Sequence, residues 1–170
     1  GSLDSFGFSR KQLFFLAPHI TKTQNPTGLL DLETIHIPFK DEFTIKKKII
    51  FEIETFGFAV TENPLVLIPP ESGARIIRSY EMINYVNCHV SMLGIKICSK
   101  RIPSKKKKGF MKFISFLDLW GSFETFLPTK NYGKLISRSV SSSIFLVSGK
   151  ITEEFGACTL HLEDMKPLSL

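Results

Sequence analysis

The stretch "FMKFISFLDLWGSFETFLP", residues 110–128, decides the fold. Its first half alternates. Met111, Phe113, Ser115 and Leu117 fall on one side, and Lys112, Ile114, Phe116 and Asp118 on the other. That is the period of a β-strand. Gly121 turns the chain and "SFETFLP" follows as a second strand. Alternation alone leaves open which side faces a core. Counting Phe113, Phe126 and Phe145 into the interior places Phe116 on the outer face.

Upstream, "NCHVSMLGIKICSKR" (87–101) is long, rich in β-formers and interrupted by Gly94, which predicts a strand with a bulge or bend. Downstream, Thr129 opens a short helix through "KNYGKLIS". "SSIFLVSGKIT" is a fourth strand, "EEFG" a hairpin turn and "ACTLHLEDM" a fifth strand. Five strands with a helix between the third and fourth give a mainly β chain whose layout is that of a five-stranded OB-fold barrel with one capping helix. The barrel is expected over residues 85–170.

Residues 1–84 read as a helical and extended connector. Ser9 caps a helix through "RKQLFFL". A linker over residues 19–39 follows, with one brief extended piece at "ETIHIPF". Next, "TIKKKIIFEIETFGF" places Ile45, Ile49, Ile53 and Phe56 at helical spacing, with Gly57 as the stop.

The chain has 170 residues and a formal net charge of +6, with 22 Lys and Arg against 16 Asp and Glu. A basic balance favours a polyanionic partner. Cys88, Cys98 and Cys158 include no CxxC pair, so neither a disulfide framework nor a zinc site is indicated, and a reducing, cytoplasmic setting fits. No run approaches the ~18 apolar residues that span a bilayer. No membrane partner is expected. The opening Gly1-Ser2 reads as an expression scar on a fragment of a longer protein.

Three blocks carry a resemblance: "LDSFGFSRKQL", "FEIETFGFAVTENPL", and "KRIPSKKKKGFMKFISFLDLWGSFETFLPTKNYGKL" followed by "FLVSGKI". In their order they resemble the C-terminal region of bacterial DNA polymerase III α-type (C-family) subunits, with the replicative or error-prone branch left open. The first block resembles the end of the family's helix-hairpin-helix region, and the third resembles its OB domain. Asn63 stands where the family carries a histidine before Pro64. Leu119 and Trp120 replace polar residues of the family's acidic turn. The resemblance implies a role in DNA replication or repair. Its partners would be single-stranded DNA, the rest of the parent polymerase, and replisome proteins such as the sliding clamp, whose docking peptides "KQLFFL" loosely matches. The parent would be a nucleotidyltransferase, a DNA-directed DNA polymerase. Its palm aspartates would lie upstream, so this fragment is expected to be no enzyme.

Loops 1–2 and 4–5 and the face of strands 2 and 3 form the usual oligonucleotide groove of an OB-fold. Lys105, Lys106, Lys107 and Lys108 fall in the first of these loops, and no acidic residue lies between Glu81 and Asp118. Lys96, Lys100, Arg101, Lys112 and Lys150 join them as phosphate-binding candidates. Phe110, Phe116, Trp120 and Phe155 are the stacking candidates. Trp120 equally suits a protein interface. The rival reading is therefore a protein-interaction OB module that docks another replisome or repair subunit. His19, His36, His89 and His161 lack metal-ligand spacing, and His89 and His161 read as structural. No phosphate loop, nucleophile motif or carboxylate pair appears, so no catalytic residue, metal or cofactor is expected.

Overall fold

The computed structural model describes residues 7–22, 37, 41–69, 76–104, 109–138 and 142–170. The chain divides into two compact units, Gly1–Asn63 and Pro64–Leu170.

In the first unit, α1 spans Arg10–Lys22 and α2 spans Ile45–Phe56. Ser9 and Gln12 cap α1 reciprocally. The Gln12 N–H donates to Ser9 Oγ at 3.2 Å, and the Ser9 N–H donates to Gln12 Oε1 at 2.8 Å. The helix continues past the expected "RKQLFFL" to Lys22. Thr44 caps α2, and Gly57 ends it in the left-handed region at φ 81°. The expected apolar face is only partly buried. Ile49 is fully buried, whereas Ile45 and Phe56 are exposed.

The side chain that fastens this unit is Glu52, which is 5% exposed. It pairs with Arg10 of α1 at 2.6 Å and accepts the N–H groups of Val60 (2.7 Å) and Thr61 (2.8 Å), as well as the Thr61 hydroxyl. Burial pushes the carboxyl up. The Thr61 hydroxyl and N–H, the Val60 N–H and Arg10 outweigh it and hold the group at about 2.

The second unit opens with two 3-10 helices, Pro64–Leu67 and Ser79–Tyr85. Five strands follow: β1 His89–Pro103, β2 Phe110–Leu117, β3 Ser122–Leu127, β4 Ile144–Glu154 and β5 Ala157–Leu168, with the helix α3, Thr129–Leu135, between β3 and β4. They close in the order β1-β2-β3-β5-β4, with β3 and β5 parallel and the other pairs antiparallel. This is the expected OB-type barrel with its capping helix.

The long β1 pairs with β4 over His89 to Ile95 and with β2 from Ile95 onward. A register shift between Lys96 and Cys98 lets one strand serve both neighbours. Gly94 has a separate reason. A Cβ there would lie 2.9 Å from Phe116 Cβ and 3.0 Å from the Phe123 ring, so only glycine lets β1 approach. Leu135 of α3 is fully buried, and Tyr132 packs beside it against the core.

The inward set of β2 is Ile114 and Phe116, and that of β3 is Phe123, Thr125 and Leu127. This reverses the expected phase, because Phe113 and Phe126 face outward. Thr125 lies inside because its hydroxyl donates to Ile114 O at 3.0 Å. Asp118 is 4% exposed at the β2–β3 turn. It accepts from the N–H groups of Ser79 (2.6 Å), Trp120 and Gly121 (both 2.7 Å) and from Ser79 Oγ (3.0 Å). Among the described residues no helix is long and apolar enough to cross a membrane.

Candidate nucleic-acid interface

A row of directly opposed residues crosses the outer wall of the barrel. Lys100 of β1 faces Phe113 of β2, and Phe113 faces Phe126 of β3. Phe126 faces His161 of β5, and His161 faces Lys150 of β4. Opposed residues in paired strands point to the same side. That side is outward, since the flanking Ile114, Leu127, Leu160 and Ile151 are fully buried. The Phe113 and Phe126 ring centroids lie 5.2 Å apart, and those of Phe126 and His161 5.0 Å apart. The result is an aromatic platform with a lysine at each end, about 19 Å across at the ~4.8 Å spacing of paired strands. Phe113 is 37% exposed, Lys100 is exposed, and Phe126, His161 and Lys150 are half-buried. Beyond Lys150 the row meets His89, whose ring lies 3.2 Å from the Glu163 carboxylate. That carboxylate makes this end of the row less favourable to phosphate.

The other candidates are distributed differently. Lys105, Lys106, Lys107 and Lys108 fall between Pro103, the last residue of β1, and Phe110, the first of β2, and lie outside the described residues. The hairpin is closed beside them by Ser104 N–H donating to Gly109 O at 3.0 Å. Lys96, Arg101 and Lys112 share the side of the β1–β2 ribbon opposite to Lys100, because Lys96 faces Phe116 and Arg101 faces Lys112. The Lys96 ammonium lies 5.8 Å from the Phe145 ring. The Arg101 guanidinium lies 4.5 Å over Phe110, which packs at 6.2 Å from Tyr132 of α3. Burial first, then the charge of Lys96, hold Lys112 below the ordinary lysine range. The basic residues therefore face two sides of the ribbon rather than forming one field.

Phe116 is a correction. It is fully buried, stacked on Phe123 at 5.5 Å and edge-on to Phe145 at 6.0 Å, so no base can reach it. The strand phase that brings Phe116 inside is the one that turns Phe113 out. Phe155 is fully exposed at the β4–β5 turn in the left-handed region (φ 54°), with Glu153 and Glu154 immediately before it. Trp120 sits at the β2–β3 turn, far from the platform, and packs edge-on to Tyr80 at 6.3 Å. The platform residues Phe113 and Phe126 are core residues, and His161 a structural one, in the expectation from sequence. Their signal was the alternation itself, read in the wrong phase. Among the described residues no cluster of His, Cys, Asp and Glu could hold a metal.

No family model matches the chain, and no curated protein matches it. Among solved structures it is similar to RecG bound to a three-way DNA junction, at 13% identity and a TM-score of 0.43, over 72% of this chain. The chain spans 16% of the length of that structure.

Proposed function

We propose that the barrel binds single-stranded nucleic acid across the row Lys100, Phe113, Phe126, His161 and Lys150. The observation that carries this reading is the cross-strand alignment of three rings between two cations on the outer wall of strands 2, 3 and 5. Exposed rings accept bases without sequence preference, each stack contributing roughly 1–3 kcal/mol. The flanking lysines neutralise phosphates and release counterions, which makes the binding salt-dependent. Lys105, Lys106, Lys107 and Lys108, which join β1 to β2 in sequence, add to the positive charge of those two strands. The β4–β5 turn, with Glu153 and Glu154, is the less favourable exit for a polyanion.

The finer reading is that the chain is the C-terminal OB part of a bacterial DNA polymerase III α-type subunit. The three sequence blocks and their order support it. In this role the chain would hold template strand and do no chemistry of its own. Nucleotidyl transfer would belong to the rest of the parent. Salt-titrated binding of a labelled oligo-dT strand tests the barrel's role. Substitutions at Phe113 and Phe126 test the site.

A further inference from the structure

Asp118 does more than close a turn. By gathering Ser79 and the Trp120 N–H it fixes one wall of a groove of about 300 Å³ in the second unit. Leu65, Ile68, Ile76, Leu93 and Leu119 line it, and Trp120, 53% exposed, forms a lip. That volume is at the lower end for ligand sites, ~300–1,000 Å³, with room for one large apolar side chain. An exposed Trp at the rim of an apolar cleft is a frequent binding anchor.

The charges of the groove are uneven. Among the described residues that line it, the one carboxylate, Asp118, already accepts four hydrogen bonds. The one cation among those described residues, Arg78, is held in place with its guanidinium 4.6 Å over the Trp120 ring and bonded to the Tyr80 hydroxyl. Among the described residues Arg78 has no ion-pair partner. The neighbouring Glu81 carboxylate accepts the Arg78 backbone N–H at 2.8 Å instead. A guanidinium stacked on a ring keeps edge N–H groups for a carboxylate.

We propose that this groove docks a short peptide from a partner protein, with a large apolar side chain in the cleft and an adjacent carboxylate on Arg78. A base fits poorly, because the aliphatic walls offer its edges no hydrogen-bond partners. A second copy of this chain fits poorly too, since each carries a net charge of +6. Trp120 lies roughly 20 Å along the β2–β3 hairpin from Phe113, at ~3.3 Å per residue, so the groove is distinct from the aromatic platform. The proposal does not depend on that platform binding nucleic acid.

Trp120 is the only tryptophan, so its emission reports the groove directly. The full chain is titrated with the peptide Gly-Ser-Leu-Phe-Glu-Asp-Ser-Gly, with the same peptide carrying Lys-Lys in place of Glu-Asp, and with oligo-dT. Saturable change with the acidic peptide is expected, about tenfold weaker for the lysine peptide and for an Arg78→Met variant. Arg78 is exposed, so this variant should fold as the parent does. Its far-UV circular dichroism checks that. A variant with residues 71–74 replaced by Gly and Ser is titrated in parallel. No response to the acidic peptide overturns the proposal, as does equal response to both peptides. A response to oligo-dT alone assigns the groove to nucleic acid instead. Binding that appears only in the 71–74 variant means the chain covers its own groove. Either result contradicts a partner peptide.

Discussion

Phe113 and Phe126 stand directly opposite one another on β2 and β3, with ring centroids 5.2 Å apart on the outside of a closed barrel. One residue of register separates them from Ile114 and Leu127, which are fully buried. The same period-two geometry thus supplies both the core and the platform. Large rings on an outer wall contribute little to the core and are placed to meet a binding partner.

Stability should separate the two sides of β2. Phe116→Ala removes a ring packed on Phe123 and Phe145 and should cost about 3–5 kcal/mol. Phe113→Ala, at a site 37% exposed, should cost ~1 kcal/mol or less. Urea unfolding of both variants compares them. Equal losses would mean that Phe113 belongs to the core.

Asp118→Ala should destabilise the second unit by about 2–4 kcal/mol, because the Ser79, Trp120 and Gly121 N–H groups lose their acceptor together. Trp120 emission should shift in the folded state, since its backbone is no longer held. A loss below ~0.5 kcal/mol would show that the turn stands without this carboxylate.

Much of the barrel was legible in the sequence. Five alternating segments, the turns at Gly121 and "EEFG", and the helix after β3 all report local geometry. The phase of β2 and β3 was not legible. Asp118 and Thr125 look like outward residues, yet both are buried, and what permits it is distant. Ser79 lies 39 positions from Asp118, and Ile114 lies 11 from Thr125. Glu52 is the same case in the first unit, because its partner Arg10 is 42 positions away. A polar residue with a non-local partner inverts the expected face of its element, and here it hid the platform.

The first unit should loosen in acid through Glu52. Its folded value of about 2 lies below the ordinary 4.5, so its contribution is complete above pH 4.5 and is lost as pH falls toward 2. The loss should amount to roughly 2 kcal/mol. Amide exchange in α1 and α2 should rise across that window in the native chain. A Glu52→Gln variant should be less stable at neutral pH and flat over the same range. Unchanged exchange at pH 3 in the native chain would contradict the assignment.

Charge should act through the salt slope. Lys100→Met and Lys150→Met should each reduce the slope of log K against log salt for a single strand by up to ~0.7. Replacing Lys105, Lys106, Lys107 and Lys108 together by serine should flatten it further. The Lys100→Met variant should change stability by less than ~0.5 kcal/mol, because Lys100 is exposed. Slopes identical to the parent would remove these lysines from the interface.

The most direct measurement is the anisotropy of a labelled oligo-dT strand titrated at several salt concentrations with the parent chain, a Phe113→Ala/Phe126→Ala double variant and a Phe155→Ala variant. Loss of two stacking rings should weaken binding by about 30-fold or more and leave the salt slope unchanged, because stacking releases no counterions. Phe155→Ala, beside two carboxylates, should change affinity by less than about threefold. Parent-like affinity in the double variant would contradict a stacking platform on this face of the barrel.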